Sequence, residues 1–237
     1  MNSTRKIITW TSLFAISMGF LEGAVVVYLR ELYYKSGFCF PLQPIPASIA
    51  RVEFLREVAT LIMLVAIGIL AGRTKLERFA YFVFAFAVWD LFYYVFLYIC
   101  IGWPQSLFTW DILFLIPVPW VGPVWAPCLL CVLMIAGAAY IIRQTGKHET
   151  YAIAAAYWWM MITGSFICIV SFMWDYLAFT YHQNNSWSIL SSKYLFSDMS
   201  TYTPQQFNSI LFFTGFLFMS ASLSLSIFKP LKQKNHA

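Results

Sequence analysis

The apolar run Leu61–Leu70 follows directly on the charged stretch Arg51-Val-Glu-Phe-Leu-Arg-Glu-Val-Ala-Thr60, with no turn-forming residue between them. The two read as one helix over about 47–71, beginning just after Pro46. A mainly apolar helix of that length crosses a bilayer. Comparable stretches lie at about 7–29, 79–101, 121–142, 151–178 and 206–228. The expected fold is therefore an all-α polytopic bundle of six spans, a single integral membrane domain over residues 1–237. Composition agrees: 61% of residues are hydrophobic and 11% charged, whereas a soluble domain carries about 25% charged residues.

Arg5-Lys6 ahead of Ile7–Leu21 imitates a signal peptide, but the apolar run continues through Val27 with no small-x-small cleavage site, so it reads as a retained first span. Pro117, Pro119, Pro123 and Pro127 cannot share one regular helix. Irregular backbone at membrane depth is tolerated only where it is buried in protein or lines a wet cavity. Residues 111–116 are accordingly expected to form a short helical or re-entrant piece before the fourth span. With six spans, ten of the fifteen Lys and Arg residues fall on the side of the termini, four on the other, and Arg56 inside a span. The positive-inside rule then puts both termini in the cytoplasm.

That orientation gathers the acidic residues in the outer half of the bundle. At about 100° per residue, Glu53, Arg56, Glu57 and Thr60 share one helix face. Glu22 sits beside the small-residue face Ala15, Gly19, Gly23 of the first span. Asp90 lies near the middle of the third span, with Tyr93 beside it and Tyr94 one turn on. Asp111 opens the proline-rich element, and Asp175 continues a small polar face formed by Gly164, Cys168 and Ser171. Ionisable groups inside a membrane are costly and mark functional sites by default. The candidate ligand- or ion-binding set is Glu22, Glu53, Arg56, Glu57, Asp90, Tyr94, Asp111 and Asp175. Each has a plainer reading. Glu22 would be a carboxylic acid kept neutral or paired once with a neighbouring helix, Arg56 between Glu53 and Glu57 would fix helix packing, and Asp111 would cap a helix; His182, seven residues after Asp175, could form an acid–base pair with it or be a structural interfacial histidine.

Several chemistries lack a signature. Facing in-membrane histidine pairs are absent, which disfavours bis-His haem, and no GxSxG, P-loop or GxGxxG motif occurs. Cys128-Leu-Leu-Cys131 has metal-like spacing but lies in apolar helix without a second ligand pair. Glu57, Asp90, Asp111 and Asp175 suit a hard divalent cation by ligand type, though not by spacing. Trp89, Trp158, Trp159 and Trp174 lie within spans and read as packing, lipid contact or the lining of an apolar site. No catalytic residue can be assigned. The expected partners are membrane lipid and either further copies of the chain or a larger membrane complex; a net charge of +5 is explained by topology and does not suggest nucleic acid.

Leu21-Glu-Gly-Ala-Val-Val-Val-Tyr-Leu-Arg-Glu-Leu-Tyr33, Trp89-Asp-Leu-Phe-Tyr-Tyr94 and Trp110-Asp-Ile-Leu-Phe-Leu-Ile-Pro-Val-Pro-Trp120 resemble stretches of an uncharacterised family of bacterial multi-pass membrane proteins. The resemblance covers roughly residues 20–140. It implies a bacterial inner-membrane setting and carries no activity. The residues themselves lead to a small transporter or channel-like protein whose outward-facing carboxylate/Arg site takes a cation, proton or small polar solute. Two alternatives stand beside it. One is a membrane enzyme acting on a lipid or apolar substrate through paired carboxylates, with or without a metal. The other is a non-catalytic subunit of a larger complex.

Overall fold

The computed structural model describes residues 3–34, 37–43, 45–115, 118–148, 151–184 and 200–228. Lys35, Pro117, most of the polar loop after the fifth span, and the basic tail with Lys229, Lys232, Lys234 and His236 lie outside the described residues. The chain runs α1 (Ser3–Tyr33), α2 (Ala47–Ala71), α3 (Lys75–Ile101), β1 (Trp110–Phe114), β2 (Trp120–Pro123), α4 (Trp125–Thr145), α5 (Ala155–Asn184) and α6 (Ser209–Phe228). Among the described residues, six helices are long and apolar enough to cross a membrane, so this is a multi-pass membrane protein.

Local chemistry sets the helix ends. Thr74 caps α3 by accepting the Glu77 amide at 3.2 Å, and the Glu77 carboxylate in turn accepts the Arg73 amide at 2.9 Å. Gly102 closes the same helix in the left-handed region, at φ +66°, with its amide bonded to the Tyr98 carbonyl.

Packing divides the bundle into two groups. α3 is the hub of the first, and α1, α2 and α4 all lie against it. α5 and α6 form a pair of their own, which β2 joins to the rest. Both groups use small residues to bring backbones together. A Cβ on Gly19 of α1 would stand 2.9 Å from the Trp89 carbonyl of α3, so the small face of α1 is its α3 face. Gly164 of α5 and Gly215 of α6 oppose each other so closely that a Cβ on either would meet the other's carbonyl at 2.7 Å or less. The α5 face carrying Gly164 and Cys168 is thus a packing surface for α6.

Between α3 and α4 the chain forms a β-hairpin, which corrects the helical expectation for 111–116. β1 and β2 pair antiparallel, with Asp111 opposite Gly122, and the ladder runs on into α4 through Val124 N–Thr109 O and Trp125 N–Leu107 O bonds of 3.0 and 2.8 Å. The physical reason is the local sequence. Ile112, Leu113 and Phe114 suit a strand packed on both sides, and Pro123 sits where a strand ends rather than inside a helix. Pro127 falls in the first turn of α4, where it costs the helix nothing. A register irregularity separates Ile112 from Phe114. It turns Phe114 towards α3, where its ring stacks on Phe86 at 6.2 Å, while Ile112 packs on the α5 side with Tyr176 and Tyr202.

Candidate functional site

The end of α1, the start of α2, the end of α3, the hairpin, the start of α4 and the end of α5 all lie at one end of the bundle, the hairpin end. Glu22 lies eleven residues before the end of α1, Asp90 eleven before the end of α3, and Glu57 ten after the start of α2. At about 1.5 Å per residue, all three stand about 15 Å inside that end.

α1 and α2 each rest on α3 and touch one another only sparingly. Arg56 spans the space between them. Its guanidinium donates to both oxygens of Glu22 on α1, and its Nε donates to Glu53 Oε2, 2.8 Å away and one turn earlier on α2. All three side chains are mostly buried, at 12–23% exposure, so each charge depends on its partners. Glu57 does not join this triad, contrary to the reading of Arg56 as clasped between Glu53 and Glu57. Its Oε2 instead accepts the backbone N–H of Leu115 at 3.3 Å, just beyond β1.

The other end of β1 anchors a second cluster. Asp111 is buried, accepts the Tyr94 hydroxyl at 3.1 Å, and faces the Arg30 guanidinium at 4.0 Å. Arg30 lies between two aromatic rings, 3.8 Å from the Trp103 centroid and 4.4 Å from that of Phe38. A cation desolvated between ring faces is held by their quadrupoles as well as by its carboxylate. Asp111 therefore caps no helix; it ties the hairpin to α1 and α3. Burial pushes its carboxyl up to about 6, against the opposing pull of Arg30 and of its bonds to Ile112 N–H and Tyr94. Tyr94 lies one turn from Asp90 on α3, but its hydroxyl donates to Asp111. Asp90 accepts instead from the Cys131 thiol of α4 at 3.2 Å. Cys131 is thereby an α3–α4 contact.

From Asp111 to Leu115 a strand extends about 13 Å, so β1 crosses the mouth formed by α1, α3 and α2. Glu22, Glu53, Arg56, Glu57, Asp90, Tyr94 and Asp111 consequently belong to one region beneath a single strand. Asp175 does not. Its carboxylate accepts the Tyr202 hydroxyl at 2.7 Å and the amides of Gln205 and Gln206 at 3.1 and 3.2 Å, fixing the lead-in to α6. Burial first, and then the bond to Asp175, pushes the Tyr202 phenol far above its ordinary range, so it stays a donor. Among the described residues, no hydrogen bond or ion pair joins Asp175 to α1–α4 or to His182, which is exposed.

Glu57, Asp90, Asp111 and Asp175 do not converge on one point as the ligands of a single divalent metal would. Among the described residues, no three His, Cys, Asp or Glu side chains are placed to hold a metal ion. Trp159 and Trp174 point outward, 68% and 51% exposed, and Trp89 is buried against Phe114. Sequence reasoning missed the aromatic clamp on Arg30. Its signal was an arginine at the end of a span with Phe38 and Trp103 in the two neighbouring loops, which spacing alone does not connect.

No protein-family model matches the chain, and neither does any curated protein or solved structure. Function must be read from the geometry alone.

Proposed function

We propose that the protein is a small transporter or channel-like protein of the bacterial inner membrane, with both termini in the cytoplasm and the hairpin end facing outward. It moves a proton, a cation or a small cationic solute. One observation carries this reading: of the five carboxylates on or under β1, Glu22 and Glu53 share Arg56 and Asp111 has Arg30, whereas Glu57 and Asp90 form no ion pair with an Arg or Lys among the described residues. Carboxylates about 15 Å deep without a fixed counter-cation are sites for an exchangeable one. Glu57, hydrogen-bonded to the strand that crosses the mouth, is the entry group. Asp90 is the deeper one, and Arg56 with its two glutamates ties α1 to α2 at the same level. Binding near mid-depth is the arrangement transporters use. The basic residues near the termini and the even-numbered loops support the orientation.

The test is flux into proteoliposomes loaded with a pH-sensitive dye, driven by a proton gradient or by a potassium gradient with valinomycin. Wild-type protein is expected to carry current, and Glu57→Gln and Asp90→Asn to abolish it while remaining folded. Unaltered flux in both variants rules the assignment out. Single cysteines at positions 53 and 57 should react with a membrane-impermeant thiol reagent from outside; reaction from the cytoplasmic side alone inverts the orientation.

A further inference from the structure

An apolar recess lies at the opposite end from the carboxylate cluster. It is a cavity of about 170 Å³ enclosed by α3, α4, α5 and α6, where the two packing groups of the bundle meet. Its walls include Val83, Leu133, Gly137, Tyr157, Met161 and Leu223. The hydroxyls that reach it are already engaged: Ser222 donates to the Tyr157 carbonyl at 2.7 Å, Ser226 to the Leu223 carbonyl at 2.7 Å, and Ser165 to the Met219 sulfur at 3.8 Å. A recess with no unmet polar group takes an apolar occupant in preference to water. It is also a slot rather than a sphere. Leu133 to Ile141 along α4 spans eight residues, about 12 Å of helix. Phe79, 41% exposed, stands at its edge, with its ring edge-on to Trp158 at 5.2 Å.

The same end carries a basic rim. Arg78 adjoins Phe79, and Lys75 lies one turn before it. Arg143 follows Ile141 by two residues, and Lys147 ends the turn beyond. All four are exposed, and among the described residues none is paired with a carboxylate. On α3 the nearest acid, Glu77, is buried and paired with Arg73; Glu149, two residues after Lys147, lies outside the described residues. Arg78 Nε donates to the Gly72 carbonyl at 3.1 Å, which leaves its charge without a carboxylate. An apolar slot at hydrocarbon depth, ending in cations that no described carboxylate neutralises, matches one molecule in a bilayer. We infer that the α3–α6 groove is a binding site for an anionic phospholipid, with one acyl chain in the slot and the phosphate at the Arg78/Arg143 rim. The site is independent of the carboxylate cluster.

The experiment is native mass spectrometry of the full chain in detergent, titrated with dioleoyl phosphatidylglycerol or dioleoyl phosphatidylcholine. Wild-type protein should retain phosphatidylglycerol about tenfold more tightly or better, because each headgroup-level cation adds to anionic-lipid affinity. Arg143→Gln with Lys147→Gln changes only exposed side chains and removes half of the rim, so it should cut the preference for phosphatidylglycerol several-fold. Gly137→Leu fills the slot and should weaken both lipids together. A Cβ at Gly137 meets only Leu223 carbons, at 3.6 and 3.7 Å, so the backbone there tolerates a side chain. Equal retention of the two lipids by wild type, or undiminished phosphatidylglycerol selectivity in the charge variant, overturns the proposal.

Discussion

Arg56 of α2 holds the Glu22 carboxylate of α1, and these two helices otherwise barely touch. The ion pair is therefore the main lateral tie across the space beneath β1. Removing one partner differs from removing both. Arg56→Ala leaves Glu22 and Glu53 as neighbouring carboxylates in a mostly buried setting, and should cost on the order of 3 kcal/mol. Arg56→Gln combined with Glu22→Gln leaves no unpaired charge and should cost much less. Thermal unfolding in detergent checks the order of the two variants.

Asp111 supplies a pH dependence with a defined sign. Its carboxyl lies at about 6 in the folded protein, against 3.8 for the free group, and burial is the main cause. The folded state thus binds this proton more tightly than the unfolded state does. The group's contribution to stability is full below 3.8 and is lost as pH rises through about 6. Asp111→Asn mimics the protonated form and should be relatively most stable above that range. Its advantage over wild type should shrink as pH falls from 7 to 4, by up to roughly 3 kcal/mol for a shift of about two pH units. A constant gap between the two melting curves across that range rejects the assignment.

The fold was legible because membrane spans are long and nearly uniform, and a window of twenty or so residues averages over local ambiguity. The hairpin was not, because proline spacing excludes a helix without saying what replaces it. Ile112-Leu113-Phe114 is too short for periodicity to separate strand from buried helix. At the candidate site, charge at helical spacing identified Glu53, Arg56 and Glu57 as one stripe. Which carboxylate Arg56 takes depends on how α1 is rotated against α2, and sequence does not contain that angle. Asp175 shows the same limit: a polar residue on a small-residue face looked like part of a pocket wall, and the face proved to be the α5–α6 seam.

Under the proposed function, that difference sets Asp175 apart from Glu57 and Asp90. Asp175→Asn should leave proteoliposome flux close to wild type while loosening the lead-in to α6. The amides of Gln205 and Gln206, which donate to its two carboxylate oxygens, should exchange faster with deuterium by about tenfold or more, since each bonded amide protected by a charged acceptor is worth about 1.5 kcal/mol or more. Loss of flux with unchanged exchange returns Asp175 to the transport path.

Gly122 offers a test of how firmly the hairpin must sit for the carboxylates to work. It stands opposite Asp111 in the ladder, and a Cβ there would lie 2.8 Å from the Phe172 ring of α5 and 3.2 Å from that of Phe207. Phe172 is buried and stacks on Trp120, so it has little room to yield. Gly122→Ala should therefore push β2 away from α5, at a cost of about 1–3 kcal/mol for overpacking. Because β1 is paired to β2, the shift reaches both anchors of the strand, Asp111 with Tyr94 and Leu115 with Glu57. Phe172→Leu on the same chain relieves the clash and should restore both melting temperature and flux. If the strand is only a structural cap, Gly122→Ala will lower stability and leave flux per folded protein unchanged. If its bond to Glu57 controls entry, flux will change in step with the clash and recover with it.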